Sequence, residues 1–86
     1  MQSKEITIKN KTGLHARPAS EFVKAATKFK SAVSIEFKGK TVNAKSILHV
    51  LSAGITAGST ITLSADGEDE AQAIEILSDV IEKFEE

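Results

Sequence analysis

Thr60-Ile61-Thr62-Leu63-Ser64-Ala65-Asp66-Gly67 runs straight into Glu68-Asp69-Glu70-Ala71-Gln72-Ala73-Ile74-Glu75-Ile76-Leu77, and the period of the apolar residues changes between the two. In Thr60–Ser64 the apolar side chains alternate with hydroxyls, the pattern of a strand buried on one side. Past the Asp66-Gly67 turn the positions Ala73, Ile74, Leu77, Val80, Ile81 and Phe84 form one stripe at helical spacing. Asp69 and Gln72 have the spacing of a capping box, acidic residues crowd the start where the helix dipole favours them, and Lys83 stands near the other end. A half-buried strand followed by a one-sided helix means a sheet with a single covered face.

The rest of the chain repeats this grammar. Ile6-Thr7-Ile8 alternates and gives way to the loop Asn10–Gly13. Ala19, Phe22, Val23 and Ala26 then recur at helical spacing, predicting a helix over about 16–28 with Pro18 in its first turn, where a missing N–H costs nothing. Val33, Ile35 and Phe37 alternate, and Lys38-Gly39 turns tightly into Lys40–Asn43, which reads as a hairpin. A helix of about two turns follows, with Ser46 as N-cap, Ile47, Val50 and Leu51 on one face, and Gly54 to end it. The order is β-α-β-β-α-β-α, an α+β chain whose last strand is central or near it by its β-branched content, organised as a single domain over 1–86.

With 41% hydrophobic and 27% charged residues among 86, the composition is that of an ordinary folded domain. There is no cysteine and no cluster with metal-ligand spacing, so packing alone must hold the fold and no cofactor is expected. The net charge of −1 offers no overall field for nucleic acid, and the four aromatics are all Phe at core-like positions. No stretch approaches a membrane span and the first residues lack a leader pattern, so the expected compartment is the cytoplasm.

Chemistry concentrates in Gly13-Leu14-His15-Ala16-Arg17-Pro18. His15 immediately precedes a predicted helix whose first N–H groups lack intrahelical partners and, with the dipole, make an anion site. Arg17 brings a planar guanidinium able to hold two oxygens of a phosphoryl group. An imidazole keeps a neutral nitrogen near neutral pH and attacks phosphorus without a separate base. No carboxylates accompany the motif to hold the magnesium of a nucleotide, so donor and acceptor groups are expected to arrive mounted on other proteins. His49, in the middle of the short helix, reads as an exposed residue without a catalytic role. Gly39-Lys40-Thr41 mimics the end of a P-loop but joins two strands, and it is set aside. Lys24, Lys28 and Lys30, with Lys40 and Lys45, read first as solvated lysines; if they form a basic face around the first two helices, it suits acidic protein partners better than nucleic acid.

Thr12-Gly13-Leu14-His15-Ala16-Arg17-Pro18-Ala19, together with Gly39-Lys40-Thr41-Val42-Asn43-Ala44-Lys45-Ser46-Ile47, resembles the two signatures of HPr, the histidine-containing phosphocarrier family of the bacterial phosphoenolpyruvate-dependent sugar phosphotransferase system. The resemblance runs the length of the chain. It implies an open-faced β-sandwich, a four-stranded antiparallel sheet in order 1-4-2-3 with three helices on one side. It further implies that His15 accepts phosphate on Nδ1 from the phosphohistidine of Enzyme I and passes it to the IIA domain of a sugar permease, as a monomeric carrier and not as an enzyme. Arg17 and the helix start Ala16–Pro18, through the backbone N–H groups of Ala16 and Arg17, would steady the transferred group. Ser46 would be the target of an HPr kinase/phosphorylase, its phosphorylated form binding a catabolite-control repressor. Ile47, Leu48 and Leu51 resemble the family's exposed docking patch, with core burial the competing reading for Ile47 and Leu51, and Lys24 is added as a docking residue. His49 departs from the small residue or lysine expected there. A regulatory paralogue without phosphotransfer and a small hydrolase of the acylphosphatase type are the rival readings.

Overall fold

The computed structural model describes residues 1–9 and 16–83. Within them lie β1 (Gln2–Thr7), α1 (Ala16–Ala26), β2 (Ala32–Phe37), β3 (Lys40–Asn43), α2 (Ile47–Ser52), β4 (Thr60–Asp66) and α3 (Glu70–Glu82). The strands form one antiparallel sheet in the order β1-β4-β2-β3. The expected topology and the central place of the last strand are both met.

The register explains why the sheet has only one dry face. Ile6 lies opposite Ile61, Leu63 opposite Ile35, Ala65 opposite Val33, and Ile35 opposite Val42, so the apolar residues of all four strands share one side. The other side carries Ser3, Glu5, Thr7, Thr60, Thr62, Ser64, Ser34, Glu36, Thr41 and Asn43, which water can satisfy. There Thr7 and Thr60 share a hydroxyl hydrogen bond of 3.3 Å. The helices cover the dry side: α3 lies over β4 and β1, α2 meets β3, and α1 packs on both α2 and α3. Phe22, Ile8, Ile35, Ile61, Leu63 and Leu77 are the largest side chains fully closed off from water.

Several elements depart from the sequence expectation for physical reasons. β1 begins at Gln2 and not at Ile6, because an edge strand pairs through its backbone while Gln2–Glu5 stay exposed. Ile8 continues the ladder past the strand's end, donating to the Ser59 carbonyl at 2.8 Å. α1 ends at Ala26 because the amides of Lys28 and Phe29 bond back three residues, to Ala25 and Ala26, tightening the last turn. The hairpin after Phe37 has both Lys38 (φ 51) and Gly39 (φ 81) in the left-handed region, the backbone a two-residue turn needs. In α2 only Val50 is buried. In α3 the stripe holds for Ala73, Ile74, Leu77 and Ile81, whereas Phe84 lies outside the described residues.

The capping box at Asp69 and Gln72 does not form: the Asp69 side chain makes no cap bond. Its carboxylate instead accepts from the backbone amides of Lys30 and Ser31, each at 2.9 Å, and from the Ser31 hydroxyl. The start of α3 is thereby tied to the loop between α1 and β2. A reciprocal cap bond forms two residues back instead, where Glu70 Oε1 accepts from the Gly67 amide at 3.2 Å. Gly67 must be a glycine, since a Cβ there would stand 2.7 Å from Ser31 Cα. Among the described residues, no helix is long and apolar enough to cross a membrane.

Two stability predictions follow from this junction. The Ser31 hydroxyl, and then the Lys30 and Ser31 amides, hold the Asp69 carboxyl down to about 2 from 3.8. A depressed carboxylate stabilises the fold above its unfolded value and loses that contribution as pH falls toward its folded one. Asp69→Asn should therefore lower the urea midpoint at neutral pH, and the gap to the unsubstituted chain should close as pH falls from about 4 to about 2. Gly67→Ala forces the Ser31 backbone aside and should cost about 1–3 kcal/mol in the same assay.

Candidate functional site

α1 begins at Ala16, so the residue before it in the chain is His15, which lies outside the described residues. The first turn of α1 contains no acidic side chain, unlike α3, which carries Glu70 there. Helix starts ordinarily attract carboxylates; here the exposed charge is Arg17, a cation added to the positive end of a dipole. Such a turn holds itself together without an anion of its own and is suited to receiving one. Pro18 is buried in this turn, and its missing N–H falls among the groups that have no intrahelical partner in any case. Ala19 and Phe22, both fully buried, fix the helix against the core so that Arg17 faces outward from a rigid base.

The second set of expected residues lies on α2. Ser46 is the N-cap, with extended backbone at φ −117 and ψ 115, and its Oγ accepts from the His49 amide at 3.5 Å, a long cap bond. Ser46 is half-buried. Ile47, Leu48 and Leu51 are 36%, 74% and 38% exposed, so the core reading for Ile47 and Leu51 is set aside and Val50 alone anchors the helix. Three large apolar side chains on two turns of helix make an open hydrophobic surface with polar neighbours. Lys24, in the last turn of α1, is exposed, as are Lys28, Lys30 and Lys40.

Lys45 differs from the other lysines. It is half-buried, and its Nζ donates to the Phe29 carbonyl at 2.7 Å, bracing the approach to α2 against the end of α1. The sequence counted it among solvated cations because nothing local shows that position 45 meets a carbonyl 16 residues away. Lys30 leans to Glu68, with Nζ 3.8 Å from the carboxylate, an exposed pair of little energetic weight. α1 and α2 thus pack on one another on the helical side of the sheet. Among the described residues, no group of His, Cys, Asp and Glu side chains is arranged to hold a metal ion.

Comparisons with known proteins agree with this geometry. The family described as "PTS HPr component phosphorylation site" matches residues 2–83. The chain is 49% identical to the phosphocarrier protein HPr of Buchnera aphidicola over 85 residues, 99% of this chain and 100% of that one. It is 52% identical to the HPr-like protein Crh of Halalkalibacterium halodurans over 83 residues, 96% of this chain and 99% of that one. The crystal structure of HPr from Thermoanaerobacter tengcongensis superposes with a TM-score of 0.93 at 52% identity, covering 95% of this chain and 92% of that one. With its topology, its basic helix start and these likenesses in accord, the chain belongs to the HPr family of phosphotransferase-system phosphocarriers, which carry phosphoryl groups and are not catalytic enzymes.

Proposed function

We propose that the chain takes a phosphoryl group on His15 from the phosphohistidine of Enzyme I and delivers it to the IIA domain of a sugar permease, acting as one domain over 1–86. The observation that carries this reading is the first turn of α1, directly after His15, which has no acidic side chain and presents Arg17 to solvent. The lone pair of His15 Nδ1 attacks phosphorus as the P–N bond of the donor breaks, and that bond's electron pair returns to the donor's ring, which takes up a proton. Arg17 holds two of the equatorial oxygens, and the free N–H groups of the helix start meet the remaining charge. The reverse sequence, with the IIA histidine as nucleophile, empties the carrier. Ile47, Leu48, Leu51 and Lys24 form the surface on which these partners rest, apolar contact supplying area and lysine steering acidic partners.

The N-cap place of Ser46, beside the exposed Ile47 and Leu48, supports a second, regulatory use of the same surface. Phosphorylation by an HPr kinase/phosphorylase would set a dianion beside Ile47 and Leu48, disfavouring partners that need an apolar face and creating a ligand for a catabolite-control repressor.

Incubation with phosphoenolpyruvate and Enzyme I should give an acid-labile, base-stable phosphoprotein, and His15→Ala should abolish it; label persisting in that variant overturns the assignment. Arg17→Lys keeps the charge but loses the two-pronged grip, and should slow labelling by roughly tenfold or more with the fold intact by circular dichroism.

A further inference from the structure

His49 finds no use in the carrier reaction, and its position relative to Ser46 suggests one. Because Ser46 is the N-cap and its Oγ accepts from the His49 amide, His49 is the third residue of α2. A side chain at this helical position leans back toward the N-terminus and reaches the cap residue, the geometry by which a Glu or Gln closes a capping box. Here the side chain is an exposed imidazole, and the cap residue is a serine. Lys45, the cation next to Ser46 in the chain, is committed to the Phe29 carbonyl at 2.7 Å.

We propose that His49 pairs with a phosphoryl group on Ser46, its imidazole partly neutralising the charge that phosphorylation adds to the α2 surface. This rests on the reading of Ser46 as a phosphorylation site. A phosphoserine loses its second proton near about pH 6, and an imidazole N–H or cation beside it favours the dianion. Without that partner a bare dianion stands among Ile47, Leu48 and Leu51. The elements packed on α2 carry Arg17, Glu21 and Lys24 on α1 and Lys40 on β3. Glu21 is the one anion in that set able to compete for the imidazole.

The test uses full-length protein with phosphoserine inserted at position 46 during translation, which needs no kinase, and follows the phosphorus resonance through a pH titration. The second ionisation of the phosphate should lie about half a pH unit lower with His49 than in His49→Gln, and Glu21→Gln should leave that difference in place. Identical titrations with and without His49 overturn the pairing, as does loss of the difference in Glu21→Gln. Treating the unmodified protein with an HPr kinase and ATP tests the underlying reading separately. Failure to modify Ser46 removes that reading, whereas equal titrations remove the pairing alone.

Discussion

A sheet with one dry face needs a cover, and the alternation of this chain leaves only one side on which to put it. Ile6, Ile61, Leu63, Ala65, Val33 and Ile35 share a face, while serines, threonines and two glutamates occupy the other. All three helices must therefore crowd onto the same side, where α1 touches both α2 and α3. Burial of that face is the main stabilising term in a chain without disulfides. It also determines which helix residues remain free for partners, because each helix spends one stripe on the core and turns the rest outward.

Function collects where that crowding leaves groups uncommitted. The first turn of α1 has a buried Pro18, an exposed Arg17 and no carboxylate; α2 is so short that Val50 alone anchors it, leaving Ile47, Leu48 and Leu51 in water. Elsewhere several polar groups are committed to bonds within the fold. Asp69 binds the loop before β2, Glu70 closes on Gly67, and Lys45 braces α2 against the end of α1. The surface proposed for partners and the proposed phosphoryl site thus share one framework, with its open contacts at the α1–α2 side and its closed ones at the start of α3.

Much of this was legible because the informative patterns are local. Alternation in 60–64 and 33–37, and the stripe through Ala73, Ile74, Leu77 and Ile81, show directly which residues face the core. What escaped depends on distance along the chain. Asp69 reads as an N-cap from its neighbours, but its hydrogen bonds go to residues 38 and 39 positions away, and that draws the cap function back to Glu70 and Gly67. β1 reads short because its first half pairs by backbone alone. For Ile47 and Leu51 spacing leaves core and docking readings both open, and a helix of six residues has too little contact to bury them. For the site, Arg17 and Ser46 keep the places expected of them at the start of their helices, while His15 lies outside the described residues.

The account's central claim is that the start of α1 receives the phosphoryl group on a His15 nitrogen. Phosphoprotein labelled with nitrogen-15 in histidine and in its backbone tests this most directly, by nitrogen–phosphorus coupling together with amide shifts. The account predicts one coupling, to Nδ1 of His15, with the amides of Ala16 and Arg17 moving downfield as they bond to phosphate and those of Thr60 and Thr62 on the open face staying in place. Phosphorus coupled to His49, or amides at the start of α1 that do not respond, would contradict it.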